Sequence, residues 1–214
     1  MLLETKTLKG TTTIGLVCKD GVVFTADKRA SMGSFIASKR SRKIFNINNF
    51  VASTVAGSVG DADALMRLIR AEATLYEMNN REKMSPRAVA TLLSNILQGS
   101  RIFPYLVQLI IGGIQIHNDR VELYTLDPIG GLIEEKMAAT GSGSPIAYGI
   151  LEQEYSEDKS VNENIPIALR ALNSAMQRDS ATGDGIALVT ITRDGFREYK
   201  KEEIDKIIKK FISE

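Results

Sequence analysis

The sequence predicts a single α+β domain, a four-layer αββα sandwich in which two antiparallel sheets are stacked and flanked by helices on both sides. Three observations support this prediction. Short β-branched runs are joined by tight turns, which is typical of antiparallel pairing. Paired helical segments separate these runs, so the order is strands, helices, strands, helices, strands. No proline- or glycine-rich linker interrupts the 214 residues, of which 43% are hydrophobic and 25% are charged.

The first half of the chain contains two predicted hairpins. Strands at residues 12–18 and 22–27 are joined by Lys19-Asp20-Gly21, and Asp-Gly between apolar runs is a strong hairpin signal. Residues 43–46 and 50–56 repeat this pattern around Ile47-Asn48-Asn49.

Two helices are predicted after these hairpins. The first begins near Asp61 and carries one apolar face, at Leu65, Leu68, Ile69, Leu75 and Tyr76. The second begins with Ser85 as N-cap and Pro86 in its first turn. Its apolar face consists of Val89, Leu92, Leu93, Ile96 and Leu97.

The second half is predicted to repeat this arrangement. Five strands are expected, at residues 106–115, 121–127, 132–140, 186–192 and 196–199. One helix follows the loop Gly141-Ser142-Gly143-Ser144-Pro145, and another begins with a capping box formed by Ser160 and Glu163. A short charged helix ends the chain.

Composition and charge exclude several functional classes. The one cysteine, Cys18, cannot form an internal disulfide, which fits a reducing cytosol, so a cytoplasmic location is expected. The net charge of +1 provides no electrostatic reason to bind nucleic acid or an anionic membrane. No apolar run approaches the roughly 20 residues that cross a bilayer.

The only histidine, His117, lies in a predicted turn. A Ser-His-Asp or Cys-His site would have to use that one imidazole. A metal site would lack histidine and cysteine ligands and could use only carboxylates. The chemistry must therefore depend on hydroxyls, lysines, carboxylates or a terminal amine.

The segment Gly10-Thr11-Thr12-Thr13-Ile14-Gly15 begins the first predicted strand. An N-terminal threonine combines a hydroxyl nucleophile with an α-amine whose pKa is about 7.7–8.0. Such an amine can act as the general base at neutral pH, so no histidine is needed. Threonines are also good strand formers, so this segment alone does not distinguish a nucleophile from an ordinary strand.

Together with four further motifs, this segment resembles the archaeal-type proteasome β-subunits. Those motifs are Asp27-Lys28-Arg29, Arg42-Lys43-Ile44-Phe45, Gly141-Ser142-Gly143-Ser144 and residues 177–184. They occur in the family's order, and the resemblance extends from Thr11 to about Thr192. The resemblance implies the fold of N-terminal nucleophile hydrolases.

The resemblance also implies a threonine-type endopeptidase made as an inactive zymogen. Residues 1–10 would be a propeptide removed by autocatalytic cleavage between Gly10 and Thr11, and residues 11–214 would form the catalytic domain. Lys43, paired with Asp27, would lower the pKa of the Thr11 amine and hydroxyl. The other residues facing the nucleophile would be Ser142, Asp179 and Thr182. Thr182 stands where the family more commonly has serine.

Substrate binding is likewise implied by the resemblance. The N–H of Gly57 would help to form the oxyanion hole, although a turn glycine explains it equally well. The backbone of Ser31 would pair with an extended peptide. The side-chain pocket would be lined by Ala30, Ser41, Val55, Val59 and Asp63. Ala30 and Val55 favour apolar substrate side chains, whereas the polar lining residues leave that preference open.

The family's assembly implies several partners. β-subunits form seven-membered rings, and two such rings are stacked between rings of α-subunits. An ATPase partner threads unfolded polypeptides into the inner chamber. No cofactor and no metal ion are implied.

Two alternatives remain from the sequence. The first is a structural β-subunit without activity, which the presence of Thr11, Asp27, Lys43, Ser142 and Asp179 disfavours. The second is a bacterial-type ATP-dependent threonine peptidase. The ten residues before Thr11, the charged C-terminal helix and the Gly-Ser-Gly-Ser loop favour the archaeal type.

Overall fold

The computed structural model of the chain describes residues 10–211, so the predicted propeptide lies outside the described residues except for Gly10. In chain order the strands are β1 (Thr13–Cys18), β2 (Gly21–Asp27), β3 (Ala30–Met32), β4 (Phe35–Ser38), β5 (Ile44–Asn48), β6 (Val51–Gly57), β7 (Val107–Gln115), β8 (Arg120–Leu126), β9 (Leu132–Glu134), β10 (Met137–Thr140), β11 (Ile186–Thr192) and β12 (Gly195–Glu198). The helices are α1 (Val59–Asn80), α2 (Pro86–Gly99), α3 (Ser144–Glu154), α4 (Val161–Arg178) and α5 (Lys201–Phe211).

Two five-stranded antiparallel sheets form the centre of the molecule. The first has the strand order β10-β1-β2-β11-β12, and the second has the order β5-β6-β7-β8-β9. A separate two-stranded hairpin consists of β3 and β4. Neighbouring strands are mostly consecutive in sequence, as short hairpin connections require.

Three apolar clusters define four layers. Phe24, Ile110 and Leu123 belong to the cluster between the two sheets. A second cluster joins α1 and α2 to the outer face of the second sheet, and a third joins α3, α4 and α5 to the outer face of the first sheet. The predicted four-layer αββα sandwich is therefore confirmed.

Local capping chemistry places two of the helices as predicted. The Ser85 hydroxyl accepts a hydrogen bond from the Ala88 N–H at 3.2 Å, at the start of α2. At the start of α4, the Ser160 N–H donates to the Glu163 carboxylate at 2.8 Å, which completes the capping box. These bonds satisfy N–H groups that the first turn of a helix leaves without partners.

The prediction of one strand over residues 132–140 is wrong, because this segment passes from one sheet to the other. β9 pairs with β8 in the second sheet, whereas β10 pairs with β1 in the first. The Glu135 N–H still donates to Leu123 O at 2.9 Å, and Lys136 O already accepts from the Val17 N–H at 2.8 Å. The chain therefore changes sheets between residues 135 and 136.

Two smaller differences concern turns. β5 extends to Asn48, so the turn before β6 consists of Asn49 and Phe50 and begins later than predicted. The β3–β4 hairpin was not predicted. Gly33, at its tip, has φ +62°, a conformation that glycine adopts without strain.

Within residues 10–211, no helix combines the length and the apolar character that a membrane span requires.

Candidate active site

The predicted site residues come together at one end of the sandwich, where several strands begin or end. Thr11 precedes β1, Asp27 ends β2, and Lys43 precedes β5. The start of β1 pairs with the end of β2 and with the end of β10, which leads to Ser142. The start of β11 pairs with Asp27, which brings the preceding loop and its Asp179 to the same end.

Asp27 is the centre of one group of contacts. Its carboxylate is fully buried, and its Oδ1 accepts hydrogen bonds from Lys43 Nζ at 2.6 Å and from the Thr12 N–H at 2.9 Å. Its Oδ2 accepts from the N–H groups of Arg29 and Gly183, both at 3.0 Å. Four donors thus hold a buried anion, which is the condition under which a buried charge is tolerated.

Lys43 is also buried, with 5% of its surface exposed. Burial lowers the pKa of Lys43, and the negative charge of Asp27 opposes this effect. Because one carboxylate oxygen contacts both the Lys43 ammonium and the Thr12 N–H, the ammonium lies next to the main chain at Thr12.

Thr11 is 4% exposed, and its hydroxyl points toward the preceding peptide bond. Its Oγ1 donates a hydrogen bond to Gly10 O at 2.6 Å, and its N–H donates to Ser142 Oγ at 3.2 Å. The Gly10 N–H in turn donates to Ser31 Oγ at 2.9 Å. The hydroxyl of Thr11 is therefore directly adjacent to the carbonyl group of Gly10.

Asp179 is the centre of a second group. Its Oδ2 accepts hydrogen bonds from Ser142 Oγ and from Thr182 Oγ1, both at 2.5 Å. The methyl group of Thr182 therefore does not prevent its hydroxyl from contacting Asp179. Thr182 Oγ1 also lies 2.8 Å from Thr12 Oγ1.

Three glycines around Thr11 and Thr12 allow close packing: Gly10 lies against Ala181, Gly141 against Thr11 and Gly143 against Thr12. A Cβ on Gly10 would lie 1.6 Å from the Ala181 Cβ and 2.6 Å from its Cα. A Cβ on Gly141 would lie 2.1 Å from Thr11 O, and one on Gly143 would lie 2.1 Å from Thr12 Oγ1. These distances are far below van der Waals contact, so a residue with a Cβ does not fit at any of the three positions without a shift of its neighbours.

A cleft of about 260 Å³ opens beside Thr11. Its lining includes Thr11 and Lys43 together with every residue predicted to bind substrate, namely Ala30, Ser31, Ser41, Val55, Gly57, Val59 and Asp63. Gly57 ends β6 with φ +129°, and a Cβ there would lie 2.1 Å from Leu106 O. A larger cavity of about 770 Å³ is lined by Lys19, Asp20 and the β11–β12 turn and by none of the predicted site residues.

Arg29 belongs to the Asp27-Lys28-Arg29 motif, but the sequence predicted no role for it at the site. Its guanidinium donates to the Asp184 carboxylate at 2.7 Å and to Ser180 O at 2.6 Å, while its N–H contacts Asp27. The Asp184 carboxylate raises the pKa of Arg29. Arg29 thus ties the loop before β11 to the end of β2, a contact 155 residues apart in sequence that no local pattern signals.

Two other titratable residues lie away from the cleft. His117, in the β7–β8 turn, has its Nε2 within hydrogen-bond distance of Glu82 Oε1, at 2.5 Å. Cys18 is buried, and burial raises its pKa to about 12. Within residues 10–211, no three side chains of histidine, cysteine, aspartate or glutamate are grouped so as to hold a metal ion.

Comparisons with known proteins agree with this fold. The family described as "Proteasome subunit" matches residues 7–191. The chain is 54% identical over 211 residues to a proteasome subunit beta of Archaeoglobus fulgidus, covering 98% of both chains. It is 54% identical over 202 residues to that of Methanocaldococcus jannaschii, covering 94% of this chain and 90% of the relative. Identity to the Methanothermobacter thermautotrophicus protein is 50% over 206 residues, covering 96% and 97%.

Proposed function

Since this chain belongs to the proteasome subunit family, we propose that it is a catalytic β-subunit of the proteasome core whose nucleophile is Thr11. The observation that carries the proposal is the Asp27 carboxylate, which joins the buried Lys43 to the main chain at Thr12. Lys43 and Thr11 also line the same cleft, and its lining includes no histidine.

Self-cleavage is the first step of the proposed function. The Thr11 hydroxyl attacks the Gly10 carbonyl carbon, an ester bond forms to Oγ1, and the Gly10–Thr11 amide bond breaks as the nitrogen takes up a proton. Water then hydrolyses the ester, which releases residues 1–10 and leaves Thr11 with a free hydroxyl and a free α-amine. The contact of 2.6 Å between Thr11 Oγ1 and Gly10 O supports this step, because the two reacting groups already adjoin.

The free α-amine makes the second step possible. It accepts the proton of the Thr11 hydroxyl as that oxygen attacks a substrate carbonyl, so an acyl-enzyme forms and then reacts with water. The positive charge of Lys43 would lower the pKa of this amine, because two neighbouring cations repel each other. In the uncut chain the same nitrogen belongs to an amide, so the chain is an inactive zymogen.

The two loops around Asp179 and Gly57 have supporting roles in the proposal. Ser142, held by Asp179, contacts the nitrogen that becomes the amine. Thr182 donates to the same carboxylate. The Gly57 N–H would stabilise the negative charge on the substrate carbonyl oxygen during attack.

The cleft suggests how an unfolded polypeptide would bind. The short strand β3, which carries Ser31, borders the cleft and offers backbone groups to an extended peptide. Ala30 and Val55 provide an apolar lining for the side chain next to the cleaved bond, while Asp63 adds a carboxylate. We also propose that the chain acts in the cytoplasm, within a seven-membered β-ring between α-subunit rings served by an ATPase.

The proposal is tested on the chain co-assembled with its cognate α-subunit. Intact mass, N-terminal sequencing and peptide hydrolysis would be measured for the wild type, Thr11→Ala and Thr11→Ser. We expect chains that begin at residue 11 in the wild type and Thr11→Ser, and an uncut, inactive Thr11→Ala chain. An uncut wild-type chain in a complete particle that hydrolyses nothing would instead identify a structural subunit.

A further inference from the structure

Thr12 connects the two groups of contacts around Thr11. Its N–H donates to Asp27 Oδ1 at 2.9 Å, and its hydroxyl lies 2.8 Å from Thr182 Oγ1. Thr182 Oγ1 in turn lies 2.5 Å from Asp179 Oδ2. The side chain of Thr12 is fully buried, so water does not replace these contacts.

Counting protons determines the direction of these hydrogen bonds. A hydroxyl has one proton to donate, and a carboxylate accepts only. Because Thr182 donates its proton to Asp179, the proton between the two threonines comes from Thr12. Ser142 likewise donates to Asp179 and accepts from the Thr11 N–H at 3.2 Å. The hydrogen bonds thus form a continuous chain from the Thr12 hydroxyl to the nitrogen of Thr11. Its intermediate members are Thr182, Asp179 and Ser142.

We propose that Thr12 is a positioning residue whose hydroxyl holds Thr182 and, through it, Asp179 and Ser142 in the arrangement that supports the Thr11 amine. This inference rests on the proposed function. By donating to Thr182, Thr12 occupies an acceptor site of that hydroxyl and directs its only proton to Asp179. With Thr182 held in this way, the Asp179 carboxylate keeps its place against Ser142.

The surrounding packing is built around this hydroxyl. A Cβ on Gly143 would lie 2.1 Å from Thr12 Oγ1 and 3.3 Å from Asp179 Oδ2. The glycine therefore leaves the space in which the Thr12 hydroxyl reaches Thr182. A threonine that served only as a strand former would not require a glycine opposite its oxygen.

Thr13 is a natural control. It is also fully buried, and its hydroxyl contacts Thr54 Oγ1 at 2.9 Å and Thr140 Oγ1 at 2.8 Å. These contacts join β1 to β6 and β10 and do not reach Asp179. A hydroxyl with only a structural role is thus available one residue away.

The experiment compares Thr12→Val, Thr12→Ser and Thr13→Val in the assembled particle. Valine keeps the shape of threonine without the hydroxyl, and serine keeps the hydroxyl without the methyl group. kcat and KM for a fluorogenic peptide are normalised to the fraction of chains that begin at Thr11, from intact mass. We expect Thr12→Val to lower kcat about 10-fold, as the loss of one buried hydrogen bond implies, with little change in KM.

The other variants are expected to separate positioning from packing. Thr12→Ser should restore most of kcat, and Thr13→Val should leave kcat unchanged while lowering the melting temperature. In a Thr182→Val background, adding Thr12→Val should cost no more than about 2-fold, because the connection is already broken. If the Thr12→Val chain does not assemble, Thr12→Ala, which needs less space, replaces it.

Three results would overturn the inference. These are full kcat in Thr12→Val, an equal loss in Thr12→Ser, or an equal loss in Thr13→Val. A wild-type particle that is uncut and inactive would contradict the proposed function itself, so the two failures are distinguishable.

Discussion

Replacing Asp27 by asparagine tests the group of contacts that joins Lys43 to the main chain at Thr12. The substitution keeps the size of the side chain and removes its charge. The amide oxygen can still accept from Lys43 and from the Thr12 N–H. The amide NH₂ group then faces the N–H groups of Arg29 and Gly183, so donors oppose donors.

The magnitude follows from these four contacts. Two hydrogen bonds to a charged group are lost, worth about 1.5–3 kcal/mol each. A second, independent estimate comes from buried ion pairs in general. Removing one partner, which leaves the other charge buried and unpaired, costs about 3–5 kcal/mol. Both lead to a loss of about 4 kcal/mol in the free energy of unfolding, which lowers Tm by about 8–16 °C in a chain of this length.

The pH dependence of this loss has a definite sign. Burial already lowers the pKa of Lys43, and without the carboxylate that opposes burial the pKa falls further. Between this lowered folded pKa and the unfolded pKa of about 10.4, the unfolded state then binds more protons than the folded state. The stability deficit of the variant should therefore become smaller as the pH rises toward that value.

Thermal unfolding by circular dichroism at several pH values measures both effects. Asp119→Asn is the control, because Asp119 pairs with Arg193 at the surface, where 51% of its side chain is exposed. An exposed pair is worth about 0–1 kcal/mol. If Asp27→Asn changed Tm as little as Asp119→Asn, the buried pair would not hold this end of the sandwich together.

Three further predictions concern single residues. Gly10→Ala should block self-cleavage, because the new Cβ would overlap Ala181, whereas the control Gly149→Ala, whose new Cβ would meet nothing within 4 Å, should be cut normally. Intact mass measures the cut fraction, and cleavage of Gly10→Ala at the wild-type rate would contradict this packing. Cys18, whose pKa burial raises to about 12, should resist iodoacetamide at pH 8 until urea unfolds the chain; fast alkylation of the native chain would show that the thiol is accessible. Hydrogen bonds from Ser160 lower the pKa of Glu163 in the folded chain. These bonds therefore stabilise the fold fully above the unfolded pKa of about 4.3, and this stabilisation is lost as the pH falls through the folded pKa of Glu163. Glu163→Gln should therefore reduce the urea midpoint more at pH 7 than at pH 3, and equal reductions would contradict this sign.

Elements specified by local chemistry could be predicted from the sequence. Asp-Gly in the β1–β2 turn, Ser85-Pro86 before α2 and the capping box of α4 each depend on residues within a few positions of one another. The β3–β4 hairpin could not be predicted in this way, because its residues are largely exposed and do not alternate between a buried and a solvent face. The change of sheet between residues 135 and 136 depends on which partner strands are available, which is a property of the whole fold.

At the candidate site, too, some features could be predicted from the sequence and others could not. Resemblance indicated Asp27, Lys43, Ser142, Asp179 and Thr182, and the structure brings them together beside Thr11. The connection from Thr12 to Thr182 spans 170 residues and depends on the direction of one hydroxyl. Sequence patterns contain no signal for such a contact, since a threonine in a strand is usually a strand former.

Covalent labelling would locate the nucleophile directly. The assembled particle would be treated with a peptide bearing an electrophile that acylates active hydroxyls, and the modified residue would be mapped by mass spectrometry. We expect one adduct, on Thr11, and only on chains that begin at that residue. An adduct on another side chain, or on Thr11 of uncut chains at an equal rate, would contradict a mechanism that requires a free N-terminal amine.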